Sequence, residues 1–179
     1  FETYKTEFVF VSSVFSYRKG YDCLIKYINK SNKRKIKFNL FGEATSETIE
    51  IEKKYFNNNS MSFIKKFGLS NIEDIDFSKF VAFISFSRSE AQPLVPLEMA
   101  YLKIPLLLSN IESHKNVFNS SSAIFFNNED PNSIENAINK FLLLSSFERN
   151  KMIDKAYQVV QSGYSFEIYK DNINKIFFR

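Results

Sequence analysis

The sequence predicts an α/β protein: a Rossmann-like, doubly wound parallel sheet of six strands with extra helices at its carboxyl end. Two observations carry that expectation. Short continuous apolar runs alternate with longer amphipathic ones, the pattern of parallel strands covered on both faces and joined by helical crossovers. The length, 179 residues, suits one well-buried domain or half of a two-domain enzyme, and 44% hydrophobic residues with only 4 Gly and 4 Pro leave no room for a large linker.

Strands are expected over 7–12 (EFVFVS), 35–41 (KIKFNLF), 61–67 (MSFIKKF), 80–86 (FVAFISF), 105–109 (PLLLS) and 122–126 (SAIFF). Between the first two, the stretch 21–30 places Tyr21, Leu24, Ile25 and Ile28 on one helical stripe. Helices are also expected over 46–56 and 94–102, and three more close the chain at 131–144, 147–161 and 166–178. Right-handed crossovers make 3-2-1-4-5-6 the natural strand order. Ligands of such sheets sit beyond the carboxyl ends of the strands, so the loops after strands 1 to 5 are where chemistry is expected.

Composition excludes several classes. A lone cysteine, Cys23, cannot form an internal disulfide. The longest apolar runs, such as IPLLL at 104–108, fall far short of the roughly 20 residues that cross a bilayer. The chain opens on Phe1 without a signal peptide, which suggests a fragment of something longer. A net charge of +4, Lys-rich and scattered, is compatible with an anionic ligand or an anionic membrane surface and requires neither.

The most informative stretch is FSRSEAQPLVPLEMAYLKIPLLLSN, running from strand 4 through the next helix into strand 5. Glu98 is set among Leu97, Met99, Ala100 and Leu102, where a buried carboxylate needs a partner. Its plain structural reading is a cap on a helix whose first turn holds Pro96. Glu90 stands eight residues earlier, at the mouth of the same loop.

That Glu, seven residues, Glu spacing after strand 4 resembles the signature of the retaining "group 1" glycosyltransferases of the GT-B fold (glycosyltransferase family 4-like). VSSVFSYRKGYDCLIKY is similar to the first strand, loop and helix of that family, with Lys19 and Gly20 as its Lys-Gly pair, Asp22 as its Asp and Leu24 and Ile25 as its apolar Leu-Ile. FGE at 41–43, Ser87 and MAYLKIPLLLS extend the likeness, so that it runs from about residue 8 to 165. The resemblance implies a carboxyl-terminal, donor-binding GT-B half spanning 1–179, with an amino-terminal acceptor domain absent from this fragment. It implies that Glu98 holds the donor ribose, Glu90 lies beside the transferred sugar and Lys19 meets the diphosphate, Glu90 and Lys19 forming the catalytic pair. Arg18, Gly20, Ser87, Ala91, Gln92 and Leu94 complete the implied donor site.

The implied partners are a nucleotide-diphosphate sugar and, through the missing domain, a sugar or lipid-linked acceptor; no nucleic acid, metal or other cofactor is expected. The implied setting is cytoplasmic bacterial polysaccharide or glycoconjugate synthesis, with peripheral contact at the inner membrane face left open. The fragment alone is expected to be inactive. Departures from the pattern are Val14 where the family has Arg, Ala91-Gln92-Pro93 in place of its Gly-rich loop, Lys103 at a common Gly position and NIESHKN in place of glycines after strand 5. Val14 and Pro93 favour the competing reading, a non-catalytic Rossmann-like assembly or effector module with degenerate phosphate loops.

Other features read more weakly. Asp74 and Asp76 form either a metal-binding acidic pair or a solvated turn. His114 is expected at the surface or as a cap rather than as a proton carrier. Lys30, Lys33, Arg34, Lys35 and Lys37 read as a solvated basic turn or an anionic-lipid contact, and Cys23 as core.

Overall fold

A computed structural model describes residues 7–31 and 36–164. Its elements are β1 (Glu7–Val14), α1 (Tyr21–Ser31), β2 (Lys37–Glu43), α2 (Ser46–Tyr55), α3 (Asn58–Phe63), β3 (Ile64–Lys66), β4 (Ala82–Ser85), α4 (Leu94–Tyr101), β5 (Leu106–Ser109), α5 (Glu112–Lys115), β6 (Ile124–Phe126), α6 (Pro131–Leu143) and α7 (Ser146–Gly163). Short 3-10 turns at Ile72–Asp74 and Phe77–Lys79 lead into β4. All six strands pair in parallel in the order β3-β2-β1-β4-β5-β6, as the sequence predicts.

Alternation along β1 divides the core between two faces. Phe8 and Phe10 join Leu24, Ile25, Phe38, Leu40, Ile138 and Phe141 on the α1 and α6 side. Val9 joins Phe83, Met99, Leu106, Leu108, Ala156 and Val160 on the α4 and α7 side. Cys23 is buried within α1. Pairing of β1 with β2 runs in register from Glu7 opposite Lys37 to Val11 opposite Phe41, then slips so that Val14 meets Glu43. The irregularity lies at the carboxyl end of β1, beside the switch between β1 and β4.

The expected strand at 61–67 is corrected: Met61 to Phe63 are helical, and β3 keeps only Ile64–Lys66. The cause is local. Asn57 Oδ1 accepts from the Ser60 amide at 3.0 Å and Ser60 Oγ accepts from the Asn57 amide at 2.9 Å, a reciprocal cap that starts a helix within the polar FNNNS patch. His114 is also corrected, since it is completely buried. The Asp74 and Asp76 region is turn: Asp76 caps the second 3-10 turn through Ser78 and pairs with Lys79 at 3.3 Å. The expected helix 166–178 and Lys33, Arg34 and Lys35 lie outside the described residues.

Candidate functional site

The turn joining β1 to α1 makes one side of the site. Its geometry depends on Gly20, whose φ of 71° is left-handed and whose missing Cβ would lie 2.0 Å from the Phe86 carbonyl oxygen. A glycine therefore lets this turn rest directly on the end of β4. The turn closes on itself as Gly20 donates to the Tyr17 carbonyl at 3.0 Å and Tyr21 to the Ser16 carbonyl at 3.1 Å, which leaves Arg18 and Lys19 projecting at the start of α1.

The segment leaving β4 makes the other side. Lys19 Nζ donates to Glu90 Oε1 at 2.6 Å, Ser87 Oγ donates to the same oxygen at 2.7 Å, and Arg18 Nη1 lies 3.9 Å from Glu90 Oε2. Lys19 and Glu90 are largely buried, with 14% and 12% of their side chains exposed, whereas Arg18 is mostly in solvent. A cavity of about 370 Å³ opens here, lined by Ser12 and Ser13 of β1, Arg18, Lys19, Ser87, Glu90 and the run Ala91 to Pro96. It sits at the β1–β4 switch point, where the crevice of a doubly wound sheet is expected. On the far side of residues 90–93 lies a second hollow of about 570 Å³, bordered by Glu112, Ser113, Asn116 and Tyr164; Arg18 and Lys19 do not reach it.

The helix α4 carries two of the expected site residues, and only one of them reaches the cavity. Leu94 opens α4 at the cavity edge, and Pro93, buried at the N-cap, offers no side-chain cap and no N–H. Glu98 stands one turn beyond Leu94 on the same helical strip but does not line the cavity. The expected buried, partnered or capping carboxylate is corrected: Glu98 is exposed, sits in the second turn of α4 and has no side-chain partner among the described residues. Partial burial, with no nearby cation to offset it, raises its pKa above the usual carboxylate value.

Several residues that support this site carry no sequence motif. Arg88 donates to both Asp22 oxygens, at 2.6 and 2.9 Å, and to Glu129 Oε1 at 2.5 Å. Asn128 Nδ2 holds the Phe86 carbonyl at 2.8 Å, and Ser109 Oγ holds the Ser87 carbonyl at 2.6 Å. Behind Ser109, His114 Nδ1 donates to the Ser109 carbonyl at 2.9 Å, which leaves Nε2 buried and unpartnered among the described residues. Burial pushes the His114 pKa below its usual value, so the ring is neutral. Among the described residues no group of three His, Cys, Asp or Glu could hold a metal ion, and no helix is long and apolar enough to cross a membrane.

The architecture recurs in solved proteins. A glycosyltransferase from Rickettsia africae matches with a TM-score of 0.82 at 17% identity, over 95% of this chain and 46% of that one. Anabaena HepE, solved in complex with UDP and glucose, gives 0.79 at 13% identity over 94% and 47%. Sucrose-phosphate synthase from Thermosynechococcus elongatus gives 0.79 at 17% identity over 96% and 44%. The chain spans less than half the length of each of these three proteins. No curated protein matches it. At the level of sequence, the family model described as glycosyl transferases group 1 matches residues 2–159, nearly the whole chain, and the protein belongs to that family.

Proposed function

We propose that this chain is the donor-binding half of a retaining glycosyltransferase, transferring a sugar from a nucleoside diphosphate to an acceptor hydroxyl in bacterial polysaccharide or glycoconjugate synthesis. The observation that carries the proposal is the meeting of Arg18, Lys19 and Glu90 in the switch-point cavity. Two cations at the start of a helix suit a diphosphate, and a carboxylate beside them suits sugar hydroxyls. The UDP and glucose held by HepE support this assignment.

In this reading the protein contributes little covalent chemistry. It holds the donor while Arg18 and Lys19 stabilise the negative charge that grows on the leaving diphosphate, and no metal is needed for that role. Gly20, Ser87, Ala91, Gln92 and Leu94 shape the donor bed, and Glu98, one turn beyond the cavity edge, is assigned to the ribose of a donor that extends past it. The acceptor and any group that reaches it belong to the other half, so this chain binds donor and catalyses nothing alone. Pro93, which removes a phosphate-binding N–H from the N-cap of α4, favours a second reading as a non-catalytic binding module. Calorimetric titration with UDP, ADP and GDP separates the two. Saturable binding that is weakened in Lys19→Ala supports the donor site; no binding by any diphosphate up to millimolar concentration supports the module.

A further inference from the structure

Arg88 stands between Ser87 and Glu90 yet does not line their cavity, and its contacts reach the β1–α1 turn, the first turn of α1 and the β6–α6 connection. Its own amide donates to the Arg18 carbonyl at 2.8 Å, and its Nη1 donates to the Tyr17 carbonyl. The guanidinium forks onto Asp22 in the first turn of α1, touches Cys23 Sγ at 3.0 Å and pairs with Glu129 in the β6–α6 connection at 2.5 Å. We propose that Arg88 is a positioning residue, which fixes the turn bearing Arg18 and Lys19 against the segment bearing Ser87 and Glu90. The inference rests on the donor-site reading of that cavity.

A simpler role would be to neutralise Asp22, whose side chain is 1% exposed. That role has a second holder. Lys26 Nζ lies 2.7 Å from Asp22 Oδ2, one helical turn away, so Asp22 keeps a cation when Arg88 is removed. What Lys26 cannot supply is the link across to Tyr17 and Glu129. A planar fork with five donors serves Asp22, Glu129 and a carbonyl at once, whereas a lysine at position 88 has one ammonium with three donors for the same three sites. The opposite side of the junction is already fixed, since the Gly20 backbone rests on Phe86 and Asn128 holds the Phe86 carbonyl. The Arg88 side chain thus adds the link that ties the Tyr17 end of the turn to α1 and to the β6–α6 connection.

The test compares the 179-residue chain with Arg88→Lys and Arg88→Gln by hydrogen exchange, thermal melting and titration with UDP and uridine. The expectation is that Arg88→Lys stays folded, that amides 16–20 exchange about tenfold faster while core strand amides do not change, and that UDP affinity falls about tenfold. Uridine, lacking phosphates, should bind both forms alike, a split that general loosening would not produce. Arg88→Gln should show the same split more strongly. Unchanged exchange at 16–20 in both variants overturns the inference, as does acceleration of all amides in proportion to lost stability. If the parent chain does not bind UDP, the donor reading fails, and the exchange data still decide whether Arg88 holds the turn.

Discussion

Lys19 and Glu98 should fail differently when replaced in a protein that also carries the acceptor half. In the proposed donor site Glu98 is remote from the reacting bond, so Glu98→Gln should weaken donor binding by about 1–3 kcal/mol with turnover nearly kept, measured by donor titration at saturating acceptor. In the proposed donor site Lys19 faces charge that grows in the transition state, so Lys19→Ala should depress kcat more than donor affinity. Equal donor affinity in Glu98→Gln and the parent would return Glu98 to the role of an exposed helix residue. Gly20→Ala should destabilise the fold by about 3 kcal/mol, read by urea unfolding, because its Cβ has to displace the Phe86 carbonyl. Lys19, Gly20 and Glu90 could be named from the sequence because each falls in a short local motif that resembles the family's. Arg88 could not be: its partners Asp22 and Glu129 lie 66 and 41 residues away, and nothing near position 88 announces them.

At the scale of elements, the connection after α4 carries a cost that a substitution can relieve. The helix ends in a Schellman motif, with the Ile104 amide donating to Met99 at 2.9 Å and the Lys103 amide to Ala100 at 3.1 Å. Its left-handed position is Lys103, at φ 57°, where glycine fits without strain. Lys103→Gly should therefore raise stability by about 0.5–1 kcal/mol in thermal melts, net of the lost contact of Nζ over the Tyr157 ring at 4.8 Å. The sequence predicted most strands from continuous apolar runs and helices such as α1 and α6 from an apolar stripe of helical period. It failed at α3, where an Asn-x-x-Ser cap outweighed the strand-like run beginning at Met61. It also missed α5, a single turn too short to show periodicity, and with it the burial of His114.

For the whole molecule, two buried groups set the response to acid. Buried His114 resists protonation while the unfolded chain's imidazole takes up a proton below about pH 6.5, so its contribution is fully present above about pH 6.5 and is lost as pH falls below that value. Burial alone would raise the Asp22 pKa, but hydrogen bonds from Arg88 and Lys26 outweigh it and hold the carboxyl below its usual value. That contribution is present above about pH 4 and lost as pH falls through the folded-state pKa. Urea midpoints should decline in two stages, the first beginning below about pH 6.5 and absent in His114→Gln, the second below about pH 4. A single decline shared by both proteins would remove His114 from the account.

The pairing of Lys19 with Glu90 gives the cavity an anion of its own before any ligand arrives. In the proposed donor site, a diphosphate entering there would replace a resident carboxylate rather than fill an unclaimed cationic seat, so recognition would be an exchange of partners with little change in the number of charge contacts. The exchange has two products. One is a bound phosphate; the other is a Glu90 side chain released from its cation, still held by Ser87 and available to the hydroxyls of whatever sugar the phosphate carries. In that reading, loading the site and arming its carboxylate are the same event.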